Sequence, residues 1–294
     1  PLPHMPASRP SRKTKKILII YTGGTIGMME DPDTGSLVPF DFAQLRMHVP
    51  ELRRFDCHID VVSFDEPIDS SDVNIDSWQR MAQMVEVNYD HYDGFVILHG
   101  TDTMAFSRKE AGGLDILVNN AGLFLMKPLL DISLEDWRKL HAVNVEGVFL
   151  GTKAAIPLLA ERASKWKGGT AIINLSSVAG LVGAAGASCY NASKGAVRLF
   201  TKGVALEVAS AGIRVNSVHP GIIETKMGDE VVSGFSALGG MGENEARAQA
   251  AQIHPLGHMG QPQNIADAIV FLASDRAAFM TGSELVVDGG LTAS

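Results

Sequence analysis

Short apolar runs alternate with longer amphipathic stretches along nearly the whole chain. The runs are rich in Ile, Val and Leu, which is typical of buried parallel strands. Seven of them are predicted as strands, at residues 16–22, 58–63, 94–100, 114–119, 168–177, 212–221 and 283–290. Because these strands alternate with helical stretches, the pattern favours a parallel sheet.

The stretches between the strands carry helical spacing and helix-end signals. Asp41, Asp102 and Ser133 are predicted N-caps, and Pro50 ends the first helix. Helices are predicted at residues 42–49, 78–92, 102–110, 190–210 and 262–274, together with a long one from residue 134 to near Pro157 or Ala160.

These elements predict an α/β fold, a doubly wound, mainly parallel seven-stranded sheet in three layers. The 294 residues suit a single domain over residues 16–294, preceded by a disordered tail at residues 1–15. Residues 23–35 are predicted to be a loop. Residues 222–260 are polar, rich in Gly and Met and weakly periodic, which predicts a mobile lid over a site.

Composition narrows the classes of function. A net charge of −8 and a pI of about 5.6 predict neither nucleic acid nor a membrane as partner. Two cysteines, far apart in sequence, predict no disulfide framework and a reduced, cytoplasmic setting. No apolar run approaches the roughly 18 residues of a membrane span. The acidic residues at 69–76 lack the register of a calcium loop, so no metal is expected.

Residues 177–194 carry the sharpest candidate chemistry. Tyr190 and Lys194 are four residues apart on a predicted helix and therefore share a face. A nearby ammonium favours the phenolate, so Lys194 is expected to lower the pKa of Tyr190 from about 10 toward working pH. Ser177 ends the preceding strand and can hold the oxygen that Tyr190 protonates. Together the three residues predict a general acid/base site.

From about residue 111 to the end, the chain resembles the short-chain dehydrogenase/reductase family. The resemblance rests on Asn119-Asn120-Ala121-Gly122, Asn144, Ser177, Tyr190 with Lys194, Pro220-Gly221 with Thr225, and the glycine-rich ending. It implies a Rossmann-like sheet and hydride transfer between NAD or NADP and a carbonyl or alcohol of a small molecule.

The same resemblance implies a role for each residue. Tyr190 is the expected acid/base, Lys194 lowers its pKa and binds the nicotinamide ribose, and Ser177 orients the substrate oxygen. Asn144 is expected to hold a water in the proton relay, with a helix kink as the structural alternative. Thr225 is expected to contact the carboxamide end of the cofactor, with a turn hydroxyl as the alternative. The expected cofactor-binding residues are Gly23, Gly27, Asn119, Ala121, Gly122, Lys194, Pro220, Gly221 and Thr225.

Residues 16–107 resemble a different family, the N-terminal part of cytoplasmic type I asparaginases. Three motifs carry this resemblance, at residues 21–27, 69–72 and 99–103. It implies Thr25 as a nucleophile and places Thr101 and Asp102 in a second catalytic group; a loop hydroxyl and a helix cap are the alternatives for Thr25 and Asp102. The family's catalytic lysine and its small C-terminal domain have no counterpart here, and a threonine nucleophile needs an activating base.

The first glycine-rich loop matches the dinucleotide motif TGxxxGxG only in part. Gly23 and Gly27 are present, whereas Met29 stands in place of the last glycine. Residues 30–35 are acidic and contain Pro and Gly, where a phosphate-binding helix N-terminus is expected. The sequence also offers no clear residue that selects NAD over NADP. We therefore expect an impaired cofactor site.

The two resemblances meet near residues 105–112 and predict the strand order 2-1-3-4-5-6-7. In the asparaginase arrangement the strand at residues 94–100 lies beside the first strand, whereas in the dehydrogenase arrangement the strand at residues 114–119 lies there. The hypotheses are an oxidoreductase by descent with an impaired cofactor site, an asparaginase-type amidohydrolase by descent, and a chimeric scaffold without native activity. A homo-oligomer, dimer or tetramer, is expected by resemblance.

Overall fold

The computed structural model describes residues 15–21, 28–30, 37–39, 57–64, 80, 83–84, 87–88, 90–92, 94–98 and 114–293. The chain divides into two compact units, Pro1–Gly100 and Thr101–Ser294. The predicted helices at residues 42–49 and 102–110, and the predicted join near residues 105–112, lie outside the described residues.

The first unit is organised around a short apolar strand. Its strands are β1 (Lys15–Tyr21), β2 (Met28–Glu30), β3 (Leu37–Pro39), β4 (Cys57–Ser63) and β5 (Gly94–Leu98). β1 lies between β4 and β5 and is parallel to both. Leu18 and Ile20 share one face of β1, because alternate residues of a strand point the same way. They are buried with Phe64, and Met84 of the predicted helix packs against them.

β2 and β3 form an antiparallel pair in which Met29 lies opposite Val38. The predicted loop over residues 23–35 is therefore wrong at residues 28–30. Strands of three residues are too short to display a period of two, and the sequence between them is rich in Asp, Pro and Gly.

The second unit contains a four-stranded parallel sheet and six α-helices among its described residues. The strands are β6 (Ile116–Asn119), β7 (Thr170–Leu175), β8 (Ile213–Pro220) and β9 (Glu284–Val287), in the order β6-β7-β8-β9. The helices are α1 (Leu134–His141), α2 (Gly147–Arg162), α3 (Ser188–Val208), α4 (Lys226–Gly239), α5 (Glu243–Gln252) and α6 (Pro262–Ala273).

Helices cover both faces of this sheet. On β7, Ile172 packs with Leu159 of α2 and with side chains of α3. Its neighbour Ile173 points to the other face and packs with Leu272 of α6. The alternation follows from the two-residue period of a strand, and a strand buried on both faces reads as a continuous apolar run. The three-layer α/β class is thereby confirmed in the second unit.

The described strands form two parallel sheets and not the single seven-stranded sheet that the sequence predicts. The seven predicted strands correspond, in chain order, to β1 and β4–β9. The predicted order 2-1-3 is therefore observed as β4-β1-β5 in the first unit, and the predicted order 4-5-6-7 as β6-β7-β8-β9 in the second. β1 pairs with β4 along one edge and with β5 along the other. The asparaginase arrangement is therefore the one that surrounds β1.

The region predicted as a weakly periodic lid contains the two regular helices α4 and α5. Val232, Ala246, Ala250 and Met259 are buried together as a small core of their own. Ala246 and Ala250 are four residues apart and line one face of α5. A helix whose buried face consists of alanines carries a weak hydropathy pattern, which is why the sequence does not reveal it. The mobility of this region remains a prediction.

The long helix begins as predicted but ends later. Ser133 and Asp136 form a capping box at the start of α1. The helix passes Pro157 and reaches Arg162. The guanidinium of Arg162 holds both carboxylate oxygens of Asp115 at 2.6 and 2.9 Å. This pairing, together with the burial of Leu159, stabilises the turn beyond the proline.

One helical stretch, Leu134–Lys165, has the length and apolar composition of a membrane span. It qualifies by mean hydropathy, although charged residues interrupt it and no uninterrupted apolar run of that length is present. Core helices of soluble proteins pass the same test. Here Ala155 and Leu159 pack onto the sheet through contacts with Ile172 and Val215, which accounts for the apolar composition.

We predict that Leu159→Ala lowers the free energy of unfolding by about 3 kcal/mol, because it leaves a cavity at a fully buried position. Leu134→Ala is the matched control: that side chain is 62% exposed, so the change should stay within about 0.5 kcal/mol. Urea unfolding followed by tryptophan fluorescence measures both. Equal effects of the two substitutions would contradict the assignment of this core.

Candidate active site

The candidate site lies where the carboxyl ends of β6, β7 and β8 meet. Parallel neighbours end at the same edge of a sheet, which brings the loops after these strands together. Asn119 ends β6, Ser177 follows β7, and Pro220 ends β8. Tyr190 and Lys194 approach from α3, the helix that follows β7 in the chain.

Ser177 is fixed by the turn that it starts. Its backbone is extended, and the 3₁₀ turn Val178–Gly180 follows. The hydroxyl accepts a hydrogen bond from the Ala179 N–H at 3.1 Å, and the carbonyl accepts one from the Gly180 N–H at 2.9 Å. Gly180 is required here, because a Cβ would lie 2.7 Å from the Lys194 carbonyl oxygen.

Tyr190 is almost fully buried, at 7% exposure. Its ring packs against the Phe124 ring in a T-shaped arrangement with the ring centroids 5.0 Å apart, and its hydroxyl lies 4.0 Å from the Met227 sulfur. Burial raises the pKa of Tyr190 to about 12, and a hydrogen bond from Ser177 opposes that rise. The expectation of a lowered pKa is therefore wrong, because loss of hydration outweighs the neighbouring groups.

Lys194 is a buried cation in the site. It is 3% exposed, and its Nζ donates to the Leu175 carbonyl at 2.8 Å. The ammonium lies 5.7 Å from the centroid of the Tyr190 ring, so the two side chains share a face as expected. Among the described residues no carboxylate forms an ion pair with it. Burial lowers the pKa of Lys194 to about 8.

Asn144 lies in a π-helical turn, Ala142–Glu146, between α1 and α2. Its Nδ2 donates to the Leu123 carbonyl and to the Ser193 hydroxyl, and its Oδ1 accepts from the Leu123 N–H. These contacts tie the loop after β6 to the helices. Asn144 thus holds structure at this turn, whereas the helix kink and the water relay both remain predictions.

Asn119 joins the sheet to the helices on one face. Its Nδ2 donates to Thr152 of α2 at 3.1 Å and to Asn174 of β7 at 2.8 Å. Asn174 in turn donates to the Thr201 hydroxyl of α3 at 2.9 Å. Each buried amide finds a partner, as buried polar groups require. Asn119 therefore positions the strand from which the following loop reaches the site.

That loop contains Ala121 and brings Gly122 to the buried lysine. A Cβ on Gly122 would lie 3.3 Å from the Lys194 Nζ and 3.4 Å from the Asn144 Oδ1. Either distance is tight, so glycine leaves room beside the ammonium. The structure brings Gly122, Asn144 and Lys194 together, as the sequence predicts.

Pro220 ends β8, and Gly221 and Thr225 follow it in the segment that leads to α4. A Cβ on Gly221 would lie 2.8 Å from the His254 Nε2, and the same nitrogen accepts the Ile222 N–H at 3.1 Å. The Thr225 hydroxyl caps α4 by accepting the Gly228 N–H at 3.2 Å. The turn role of Thr225 is thus observed, and its contact with a cofactor remains a prediction.

Several predicted site residues lie outside the described residues, namely Gly23, Thr25, Gly27, Thr101 and Asp102. Nothing in the described part of the chain gathers three or more His, Cys, Asp or Glu side chains into a metal site.

Two residues beside the site are missing from the sequence-based predictions. Met227, in the first turn of α4, lies against the Tyr190 hydroxyl. His219 is fully buried, and its Nδ1 lies 3.0 Å from the Ser177 carbonyl oxygen. A signal for His219 is visible in the sequence: Ser217 and His219 are two residues apart on a predicted strand and therefore share one of its faces.

A buried tyrosine and lysine beside a serine, at the carboxyl edge of a parallel sheet, define an oxidoreductase of the Rossmann-like class. The family model described as Enoyl-(Acyl carrier protein) reductase matches residues 99–292. The chain belongs to the short-chain dehydrogenase/reductase family, whose cofactor is NAD or NADP.

Three curated relatives illustrate the match, and each is named a dehydrogenase. Cyclopentanol dehydrogenase of Comamonas testosteroni is 46% identical over 70% of this chain and 74% of its own. The NADP-dependent (R)-specific alcohol dehydrogenase of Lentilactobacillus kefiri is 41% identical over 70% of this chain and 76% of its own. The trans-4-hydroxycyclohexanecarboxylate dehydrogenase of Sinomonas cyclohexanicum is 37% identical over 76% of each chain.

The first part of the chain matches a second family. The model described as Asparaginase, N-terminal matches residues 16–121. The two matches overlap over residues 99–121, which include the predicted join near residues 105–112. The two-family composition is confirmed.

The second unit fits one end of a nicotinamide dinucleotide. The ammonium of Lys194 has three N–H donors, and among the described residues one of them is used, by Leu175. Gly122 leaves a cradle beside that ammonium. The oxygen of a ribose hydroxyl can accept a hydrogen bond from one of the two remaining N–H donors. The glycine loop that would hold the phosphates, with Gly23 and Gly27, is outside the described residues.

We predict that the free energy of unfolding rises by about 1.5 kcal/mol from pH 8 to pH 9.5 because of Lys194. Its pKa is about 8 in the folded protein against 10.5 as the ordinary value. Between these values the unfolded chain binds a proton that the folded chain has lost, so stability increases with pH. Lys194→Met should remove this rise in urea unfolding measured across the range.

Tyr190→Phe is the matched control for that experiment. The Tyr190 pKa is about 12 when folded against 10.0 as the ordinary value. Its phenol is therefore mostly protonated in both states over this range, and the variant should keep the rise. Parallel curves for the wild type and Lys194→Met would contradict the assignment.

Proposed function

We propose that the protein transfers hydride between NAD(P) and an uncharged secondary alcohol or its ketone, with Tyr190 as the acid/base and with weakened cofactor binding. The observation that carries the proposal is the buried Tyr190–Lys194 pair beside Ser177. Lys194 is an ion without a carboxylate partner among the described residues, and burying such an ion is costly. A site for a ligand with acceptor oxygens accounts for that cost.

The proton chemistry follows from the two pKa values. NAD(P)H supplies the hydride when bound. As the carbonyl carbon gains the hydride, the π electron pair moves to the oxygen, which takes the phenol proton of Tyr190. The phenol is available at neutral pH because burial raises the pKa of Tyr190 to about 12. Lys194, with a pKa of about 8, is still mainly cationic at pH 7 and stabilises the resulting phenolate.

The surroundings of Tyr190 support an apolar substrate. Phe124 packs against the Tyr190 ring in a T-shaped arrangement, and Met227 faces the hydroxyl. Met126, from the same loop as Phe124, lies close to Gly234 of α4. An apolar wall with a few polar groups is typical of small-molecule sites. Cyclopentanol, in the name of the Comamonas testosteroni relative, is an uncharged alicyclic secondary alcohol and supports the same class.

The sequence after β1 supports weakened cofactor binding. Gly23 and Gly27 of the dinucleotide motif are present, but Met29 stands in place of the last glycine. Residues 30–35 are acidic and contain Pro and Gly, and their carboxylates repel phosphate where a helix N-terminus is expected.

The remaining expectations form part of the proposal. The net charge of −8 supports a protein without nucleic acid or membrane partners, and we propose a cytoplasmic setting. A homo-oligomer, dimer or tetramer, is proposed from the family. The match at residues 16–121 favours asparaginase ancestry for the first part. We propose no amidohydrolase activity there, because the family's catalytic lysine is absent; ammonia release that is lost in Thr25→Ala would contradict this.

We predict that the full chain consumes NADH or NADPH with cyclopentanone and that Tyr190→Phe lowers kcat by about a thousandfold, since the proton donor is lost. Tyr92→Phe, in the first unit, is the matched control and should stay within about twofold. Binding of NADH and NADPH is measured by calorimetry, and weakened binding corresponds to a Kd above about 0.1 mM.

Two results separate the parts of the proposal. A Kd in the low micromolar range or tighter would reject the weakened site while leaving the reaction in place. Absence of both binding and turnover at about 10 mM cofactor, with the protein folded, would reject the oxidoreductase and favour a scaffold without activity.

A further inference from the structure

We propose that His219 is a positioning residue that holds Ser177 in place for the Tyr190 site. The proposal rests on the proposed function for its catalytic consequence and on the contacts of His219 for its structural one. His219 lies on β8, and its Nδ1 is 3.0 Å from the Ser177 carbonyl oxygen on the loop after β7. Its two ring nitrogens bond to Ser177 and Ser217, so it acts through Ser177.

The hydrogen bonds assign the tautomer of His219. A carbonyl oxygen can only accept, so Nδ1 carries the proton and donates to Ser177. Nε2 is then the acceptor, and the Ser217 hydroxyl, 2.8 Å away, donates to it. Both nitrogens are therefore satisfied in the neutral ring. Burial lowers the pKa of His219 below its ordinary value, which favours this neutral form.

The carbonyl of Ser177 accepts two hydrogen bonds. One comes from His219 and the other from the Gly180 N–H at 2.9 Å. Two bonds from different directions fix the plane of the peptide that follows Ser177. The Ser177 hydroxyl is fixed in the same turn by the Ala179 N–H. The orientation of this hydroxyl toward Tyr190 therefore depends on the strand that carries His219.

A role in packing alone does not explain why a histidine occupies this buried position. His219 is 0% exposed and occupies a strand whose neighbouring positions are apolar, where a Val or Leu would fill the volume without a polar cost. The imidazole has both nitrogens hydrogen-bonded, Nδ1 to the Ser177 carbonyl and Nε2 to the Ser217 hydroxyl. A buried polar group that is fully satisfied specifies one arrangement of its partners.

Two substitutions at His219 test the role. His219→Leu removes the donor, whereas His219→Asn keeps an N–H one bond beyond Cγ, at the position of Nδ1. We expect His219→Leu to lower kcat by about tenfold, with the Kd for NAD(P)H and the KM for cyclopentanone unchanged within about twofold. His219→Asn should recover most of kcat. In a Ser177→Ala background, His219→Leu should have little further effect, because the two residues act as a unit.

Two measurements do not depend on activity. Long-range ¹H–¹⁵N spectra should show the proton of His219 on Nδ1, with the signal assigned by its loss in His219→Asn. Amide exchange of Ala179 and Gly180, which bond to the hydroxyl and the carbonyl of Ser177, should be about tenfold faster in His219→Leu and near the wild-type rate in His219→Asn. Ser217→Ala, which leaves the Nδ1 donor in place, is the control.

The outcomes separate this proposal from the proposed function. A proton on Nε2, unchanged exchange in His219→Leu, or additive losses of kcat with Ser177→Ala would each overturn the positioning role. If the wild-type chain has no activity, the proposed function fails, and the tautomer and exchange data still decide whether His219 holds Ser177.

Discussion

The candidate site depends on one buried ammonium. Lys194 donates to the Leu175 carbonyl at the end of β7 and has no carboxylate partner among the described residues. An unpaired buried ion is costly, so its surroundings must be held in place by other means. Glycine at position 122 leaves room beside the ammonium, and glycine at position 180 lets the serine turn approach the Lys194 carbonyl. The site is thus shaped by close backbone approaches around one charge.

The polar residues around the lysine mostly hold structure. Asn119 links two strands to two helices through Thr152 and Asn174. Asn144 fixes the loop after β6. His219 reaches the serine turn from β8. Such buried and satisfied networks favour a single arrangement. This places Ser177, Tyr190 and Lys194 with little freedom, which is what proton transfer requires.

Local signals in the sequence predict much of this arrangement. Ser133 with Asp136 marks a helix start, and the spacing of Tyr190 and Lys194 gives a shared helix face. The effect of burial on a pKa cannot be predicted from the sequence in the same way. The pKa of Tyr190 depends on how deeply the phenol is buried, and spacing along a helix does not contain that information. The alanine-lined face of α5 and the three-residue strands β2 and β3 fall below what hydropathy patterns reveal. The sequence does not show that His219 bonds to Ser177 and Ser217, and these contacts are what suggest a positioning role.

The first unit pairs both edges of β1 with its own strands, β4 and β5. The second unit brings Ser177, Tyr190 and Lys194 together with its own elements, the turn after β7 and α3. The buried, unpaired state of Lys194 is the central claim, and an NMR titration of the labelled lysine side chains, assigned with Lys194→Met, tests it most directly. The account predicts a midpoint near 8 for Lys194; a midpoint at the ordinary lysine value of about 10.4 would contradict it.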